Sequence, residues 1–563
     1  MEKRQFWTST EPRDILFAAL LIVHVIPLWA FEYFPSQDGS THLYNASIIS
    51  NYAREGFLGY REFYTLEHRI GVNWLIHLML AGLMELLPML IAEKVLLTLY
   101  VLLFMLALRY AVMSINPVSH PLAFLGFPLV YNRSMHMGFY SFIFSLAVFL
   151  ICMGYWVRHN SRISHTQEFA WLATLSLLLY LTHLLSLLIA MAVIGILTVW
   201  LVLIESLEQV AASKRVLALR SHGLWVLFKP KLRSMLAFVP GISLVILFLH
   251  DKRPATSVIG DLKIVVRQLL SFDETEAFVL GGLIAILSLL GVITIADRCA
   301  RVRLHRADGF FLAGLCGVIV YVIAPNGLFG GGLIRERLLI YVLLMLILWV
   351  AGQTYGHMFS WLIIGGAATT AIAGLVINVG SYKQFNDYLR EHVSAGEFVA
   401  PQTTILPVSF AYLARHEADW FTSTAPVPLA SASGYVATVK TLVDLSNYEA
   451  ATDHFPTAFR PNLDPYRYLG NQEDISTLNI AGYYQRVGKH VDYVLVTSRT
   501  GVEQDLSRAR NLQRQLTDGY TLIYTSPRDL ARLYRRLDYK TAGKVTATTG
   551  GLASFSDKAR RGD

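Results

Sequence analysis

Charge is what this sequence has least of. Asp, Glu, Lys and Arg make up 16% of its 563 residues, against about 25% in ordinary soluble domains. A soluble enzyme of this length needs more polar surface than that to cover its cores. Apolar residues reach 54% and mean hydropathy is +0.45, which also excludes a disordered chain and a fibrous repeat. Cysteine is scarce too: Cys152, Cys299 and Cys316 are the whole complement. All lie in apolar segments or at their edges, and no spacing resembles a metal knuckle, so a disulfide framework is excluded. No internal repeat is visible. The composition leaves a membrane protein with many spans. Its 10 Trp and 28 Tyr suit interfacial belts.

Runs of about 17–25 apolar residues are candidate spans. They fall at 14–33, 94–109, 138–157, 168–182, 184–204, 234–250, 278–296, 309–325, 338–352 and 358–379. The first leads into Trp29, Phe31 and Tyr33 rather than a small-residue cleavage site, so it reads as a span and not a cleaved signal. Two runs, 71–88 and 120–131, are shorter or more polar. Lys and Arg set direction. The basic stretches 213–233 (Lys214, Arg215, Arg220, Lys229, Lys231, Arg233), 298–306 (Arg298, Arg301, Arg303, Arg306) and 158–165 (Arg158, Arg162) are assigned to the cytoplasm, together with Lys3, Arg4 and Arg13. That count puts everything after about residue 380 outside and requires an odd number of crossings. Hence 71–88 and 120–131 cannot both cross. Asn73, His77 and Glu85 are costly in lipid, and 71–88 is expected to lie on or dip into the outer face.

Hydropathy collapses after residue 380. Short strands are expected at "TTILPV" (403–408) and "DYVLVTS" (492–498), and a helix at "DLSRARNLQRQL" (505–516). "YTLIYTS" (520–526) and "LARLYRR" (530–536) follow. This is the pattern of a small α/β unit. The expected fold class is therefore a polytopic α-helical membrane protein of about 11–13 spans with a small C-terminal α/β extracytoplasmic domain. The expected division is a transmembrane module over 1–380 with an outer loop at 34–70, an α/β domain over 381–540, and a disordered tail over 541–563.

Four stretches carry candidate chemistry, and the orientation places all four on one face. The first is the long polar loop after the first span. Asp38 lies just past the end of that span, followed by His42, in a run (41–53) whose apolar positions suit a helix on the membrane surface. Asp38 reads either as a base for an acceptor hydroxyl at the boundary or as a helix N-cap. Asn73 lies further along. In the second, "YNRSMHMGFYSF" (131–142), Asn132, Arg133 and His136 suit contact with a sugar or phosphate, or else a hydrophilic hairpin with a snorkelling Arg. Third, His183 marks the most polar point of an apolar block too long for one span. It reads as a site residue at an outer turn or as an interhelical hydrogen-bonding histidine. Fourth, "APNGLFGGGLIRERLLIYVLL" (324–344) joins a glycine run to Arg335 and Arg337. Glycines admit close backbone approach, helix starts favour anions and Arg grips phosphate. Arginine on that face runs against the positive-inside trend.

The layout resembles the GT-C superfamily of polyprenyl-phosphate-sugar-dependent glycosyltransferases. The residues that carry the likeness are "FPSQDGSTH" (34–42), "NW" (73–74), "GFYSFIFSLAVFL" (138–150), "LTH" (181–183) and "GGGLIRERL" (330–338), within a stretch from 14 to 380. The resemblance implies that Asp38 acts as base or orients the acceptor, and that Arg335 or Arg337 takes the lipid phosphate. His42, Asn73, Asn132, Arg133, His136 and His183 are the implied substrate contacts. Gln37-Asp38 stands where many members carry two acidic residues, so the second carboxylate is unassigned, a divalent metal is unsupported by the motif, and no cofactor is assigned. The implied reaction is an inverting transfer. The acceptor hydroxyl gives its proton to Asp38 and attacks the anomeric carbon, while the departing lipid phosphate is stabilised by arginine. The implied partners are a polyprenyl-phosphate sugar donor, a glycan, lipid or protein acceptor and membrane lipids, with no nucleic acid. The implied location is the inner (plasma) membrane with a cytoplasmic N-terminus. Competing readings are a transporter or lipid flippase, whose polar groups would sit near the midplane, a polysaccharide polymerase or ligase, and a non-catalytic assembly subunit.

Overall fold

The computed structural model describes residues 11–67, 70–160, 166–213, 221–250, 269–325, 327, 332–410, 426–452, 454–470 and 474–539. The tail expected to be disordered, and Lys3, Arg4, Arg162, Lys214, Arg215 and Arg220, lie outside the described residues.

Apolar runs become helices that bury a stripe or an entire circumference. These are α1 (Pro12–Ala30), α2 (Gly39–Asn51), α3 (Trp74–Met84), α4 (Met89–Ile115), α5 (Tyr140–His159), α6 (Thr166–Thr182), α7 (Leu184–Ser213), α8 (Ser221–Leu236), α9 (Val239–Leu249), α10 (Glu276–Arg301), α11 (Asp308–Ile323), α12 (Ile334–Val350) and α13 (His357–Ser394). Six of the helices are long and apolar enough to cross a membrane: α1, α4, α5, α10, and the helices over Leu184–Gln209 and His357–Phe398. The chain is a polytopic helical membrane protein. Helix α5 is the central element. Phe142, Leu146, Phe149, Leu150, Met153 and Trp156 are all buried in one large core.

The two ambiguous runs behave differently. Helix α3 has 11 residues, about 16 Å at 1.5 Å per residue, too short to cross. It packs on α2, and Glu85 just beyond it pairs with Arg54 at 2.6 Å. The other run becomes a buried 3₁₀ segment over Pro117–Leu129. Runs of that length are uncommon, and Pro117, Pro121 and Pro128 withhold backbone donors along it. Its 13 residues span about 26 Å at a rise near 2.0 Å, close to a hydrocarbon core. One end is tied by Ser119 Oγ to the Gln353 carbonyl (2.8 Å) and Asn116 to Thr354 (3.3 Å). Past the other end, the His136 carbonyl accepts from Gln37 N at 2.8 Å. The segment therefore runs the length of the bundle.

The end near Gln353 collects basic residues. Arg13 sits over the Trp361 ring at 5.5 Å, Arg158 over Tyr110 at 4.7 Å, Arg109 pairs with Asp14 at 2.5 Å and Arg298 reaches Gln353 at 3.1 Å. The opposite end carries the loop after α1 and the C-terminal third.

The C-terminal third is built on a five-stranded sheet ordered β3-β2-β5-β7-β6, with β2 at Thr404–Ser409, β3 at Val443–Asp444, β5 at Tyr493–Thr497, β6 at Tyr520–Thr525 and β7 at Ala531–Arg536. β2 is parallel to β3 and β5, while β7 is antiparallel to β5 and β6. The expected helix over 505–516 is two helices, Val502–Arg508 and Arg510–Gly519. The chain leaves helical backbone at Ala509. In one straight helix Leu506 and Leu512, six residues apart, would face different sides. The break lets both bury.

The loop after α1 is part of this unit. Its strand β1 (Tyr64–Leu66) pairs antiparallel with β4 (Thr457–Phe459). Tyr44, Ile48, Tyr60, Phe63 and Tyr64 share a core with Ile405, Val443 and Leu495. A buried chain of hydroxyls and a carboxylate stitches the halves: Ser36 to Tyr140 (2.8 Å), Tyr140 to Glu93 (2.7 Å), Tyr435 to Glu93 (3.2 Å).

Candidate active site

A cavity of about 340 Å³ opens where the bundle meets the C-terminal third. Asp38, His42, Asn73, His183 and Arg337 line it, together with Gly332, Tyr448, Thr452 and His454. Leu184, Leu185, Leu188, Phe248, Leu249 and Ile334 form its apolar wall. The cavity is therefore amphipathic.

Asp38 precedes α2 without capping it: its side chain makes no cap hydrogen bond, and only its carbonyl accepts from Thr41 N (3.0 Å) and His42 N (3.2 Å). The carboxylate is left for the cavity, where Gln37 Nε2 donates to Oδ1 at 3.3 Å. Burial pushes its carboxyl up to about 6, against the opposing charge of His42 and the Gln37 hydrogen bond. At neutral pH it stays mostly ionised and is a stronger base than an exposed aspartate. Its main chain is held from α5's side. Gly138 has φ +78°, and a Cβ there would sit 2.6 Å from Asp38 N. Only glycine suits both the conformation and the gap.

Arg337 starts α12. Its guanidinium lies over the Phe139 ring at 4.3 Å, and Nη1 is 3.4 Å from His183 Nε2. Arg337 Nε, His183 Nδ1 and Asn73 Oδ1 are buried atoms without a hydrogen-bond partner, and all three residues line the cavity. Buried polar atoms are nearly always satisfied, so three orphans around one cavity mark a place for a ligand. Asn73 (φ 63°) and a further cavity residue, Leu333 (φ 57°), hold left-handed backbone, which is costly for a leucine. His183 stands in the break between α6 and α7. The expected turn is there.

The remaining candidates lie elsewhere. Arg335 turns back to the end of α11, donating to the Ala324 carbonyl at 2.7 Å and Val322 at 3.4 Å. Asn132 caps a short helical turn, accepting from Met135 N at 3.2 Å, and donates to Leu129 O at 2.9 Å. Arg133 donates to Leu270 O at 3.2 Å. His136 bridges Ser271 Oγ and Tyr382 OH, both at 2.7 Å, and burial pushes its pKa down to about 3. None of these four lines the cavity. Of the glycine run at 330–332, Gly330 and Gly331 lie outside the described residues, and Gly332 is placed on the wall.

Behind the wall, His42, His77 and Glu449 converge. His42 Nδ1 is 2.7 Å from Glu449 Oε1, His77 Nε2 is 2.8 Å from Oε2, and the two nitrogens are 3.3 Å apart. Burial favours the neutral Glu449, but the two imidazoles prevail and hold it at about 2. Burial likewise opposes a charged His42, and Glu449 outweighs it, raising that pKa. These three residue types could hold a divalent metal. Sequence reading does not single out Glu449, Tyr448 or His454, and it names His77 only as a polar group costly in lipid. Three of them fall in polar stretches where carboxylates and histidines carry no signal by themselves.

No family model and no curated protein matches the chain. Among solved structures it is similar to the crystal structure of ArnT from Cupriavidus metallidurans in the apo state, with a TM-score of 0.46 and 9% identity over 92% of this chain and 97% of that one. A likeness this distant carries no functional weight.

Proposed function

We propose that the chain is a glycosyltransferase that takes its sugar from a polyprenyl-phosphate donor and passes it to an acceptor hydroxyl at the outer face of the membrane, with inversion. One observation carries the reading. A single cavity joins a buried carboxylate, an arginine with an unpartnered Nε, and an apolar wall of leucines and Phe248. Those are the three features a lipid-linked phosphosugar and its acceptor demand. The apolar wall takes the first isoprene units, Arg337 meets the phosphate, and Asp38 meets the acceptor.

In the reaction, the acceptor oxygen attacks the anomeric carbon and its proton passes to Asp38. The bond from that carbon to the phosphate oxygen breaks, and the lipid phosphate leaves carrying the bonding pair. Arg337 is in place before charge develops, which is where electrostatic catalysis gains most. His183 keeps the guanidinium in register. On this reading the basic end of the bundle is cytoplasmic by the positive-inside trend. The cavity and the C-terminal third then face outward across the inner membrane. The acceptor is a glycan, lipid or protein hydroxyl. The test is Asp38→Asn in membranes supplied with polyprenyl-phosphate sugars. Sugar transfer is expected to stop while the protein level holds, and unchanged turnover would remove the proposal.

A further inference from the structure

The geometry points to a divalent transition-metal site, zinc by ligand preference, formed by His42 Nδ1, His77 Nε2 and the Glu449 carboxylate. The inference rests on these ligand atoms alone and is independent of the transferase reading. All three side chains are at most 4% exposed. They come from three separate places: α2, α3 and the C-terminal third.

Each imidazole is already oriented as a ligand. His42 Nε2 lies 2.7 Å from the Gly138 carbonyl and His77 Nδ1 lies 3.0 Å from the Asn73 carbonyl. A carbonyl only accepts, so the protons belong on those outward nitrogens. The inward nitrogens, His42 Nδ1 and His77 Nε2, then present lone pairs. They face each other at 3.3 Å. A tetrahedral zinc with bonds of about 2.0 Å to nitrogen has ligand–ligand edges of about 3.3 Å. Backbone carbonyls fixing the far nitrogen are the usual outer shell of a metal-bound histidine.

The carboxylate completes the case. Glu449 Oε1 lies 2.7 Å from His42 Nδ1 but accepts no well-aligned hydrogen bond. Two electron-pair donors that close are held together by a positive charge between them, a proton in the metal-free pocket or a metal ion in its place. Oε2 is oriented by Asn45 Nδ2 at 2.8 Å, a second outer-shell contact. With a metal bound both imidazoles are neutral, so the pocket then carries the single charge of Glu449, and the Asp38 carboxylate acts on His42 from the cavity side. A doubly charged cation balances those two carboxylates. Two histidines and one carboxylate suit zinc above the oxygen-seeking alkaline-earth ions, and three protein ligands leave one position open. His42 is on the cavity wall, so the metal would clamp the loop that carries Asp38 to the C-terminal third.

The test uses the full-length chain in detergent, stripped with a chelator, dialysed and then exposed to Zn²⁺ or Co²⁺ alone. Metal content by mass spectrometry should return to about one equivalent per chain. Bound Co²⁺ should give the visible absorption of a four- or five-coordinate site. His77→Ala and Glu449→Gln should lose both signals. Asn45→Ala keeps every ligand and should weaken Zn²⁺ binding about 10–100-fold, which holds the test open if a ligand variant does not fold. Failure of the stripped wild-type chain to take up either ion would overturn the site, as would full retention of metal in His77→Ala and Glu449→Gln. Loss of sugar transfer with metal content intact speaks only to the transferase reading.

Discussion

Replacing Arg337 by Met isolates the phosphate contact. Methionine keeps an unbranched apolar stem and only the charged head goes. In the free protein the guanidinium is buried, its Nε has no partner, and its closest polar contact is His183 at 3.4 Å. It forms no ion pair among the described residues. Removing it forfeits cation–π contacts with Phe139 at 4.3 Å and Phe142 at 5.5 Å, about 2 kcal/mol for a desolvated pair. It also removes the cost of burying a charge that the Glu336 and Asp38 carboxylates offset only from a distance, which is at least as large. Stability should therefore hold or rise. A lipid phosphate bound there would lose two charge-assisted hydrogen bonds, each about 1.5–3 kcal/mol. The low end, about 3 kcal/mol in all, is a roughly 150-fold rise in Kd. Arg335→Met is the contrast. That arginine holds the Ala324 carbonyl at 2.7 Å, and losing the donor should cost about 1–3 kcal/mol of stability with phosphate affinity unchanged. The assay is binding of a C55 polyprenyl monophosphate by native mass spectrometry, with thermal unfolding in parallel. Binding by Arg337→Met within twofold of wild type, or loss of binding in Arg335→Met instead, would show that the cavity arginine is not the phosphate contact.

The other expectations bear on the base, its support and the lipid wall. Asp38→Asn should lower transfer by about 10²–10⁴-fold, the usual worth of a general base, while leaving lipid-phosphate binding in place. Equal loss of both in the same two assays would make Asp38 a binding residue. Gly138→Ala strains a backbone at φ +78° and drives a methyl toward Asp38 N, a penalty of about 1–3 kcal/mol. Transfer should fall more steeply than the unfolding temperature, and a fully active Gly138→Ala would mean that Asp38 is not held from this side. Leu188→Trp fills the apolar wall, so binding of the C55 lipid phosphate should drop while a C5 isoprenyl phosphate still binds. Equal retention of both lipids would place the chain elsewhere.

Much of the helical plan is legible because crossing a membrane demands long apolar runs, and hydropathy reads length directly. The turn at His183 and the strands β2, β5, β6 and β7 fall where polarity and alternation put them. Asp38, His183 and Arg337 stand out as polar groups at the ends of apolar runs. What separates Arg337 from Arg335 is helix phase. Two residues apart on a helix they point about 200° apart, and α12 is too apolar all round for its sequence to say which side faces the cavity. Asn132, Arg133 and His136 look like site residues for the same reason that they are buried: each satisfies backbone or hydroxyl groups where chain segments meet. Glu449 is invisible in sequence because its meaning depends on His42, about 400 residues away, and His77. The path of Pro117–Leu129 along the bundle is obscured by its prolines, which read as loop yet build a 3₁₀ rise that needs fewer residues to cover the same length.

The division into a membrane module and an appended C-terminal unit does not describe how Asp38 is positioned. Its loop is gripped from both. On the bundle side Gly138 passes under its backbone, and Met137 O accepts from Asp38 N at 3.2 Å. On the other side Gln37 Oε1 accepts from Val427 N at 3.0 Å. Gly434 comes so near Ser40 that a Cβ would lie 2.5 Å from its carbonyl oxygen. Tyr448, Thr452, His454 and Phe455 then close the cavity from the C-terminal third. A reactive carboxylate gains from fixed placement at the scale of tenths of an ångström. Here that placement exists only when the loop, the bundle and the C-terminal third are assembled together. The polar C-terminal third is therefore a wall of the cavity in its own right, and the extended loop after α1 is long because it must reach both partners before returning to the membrane.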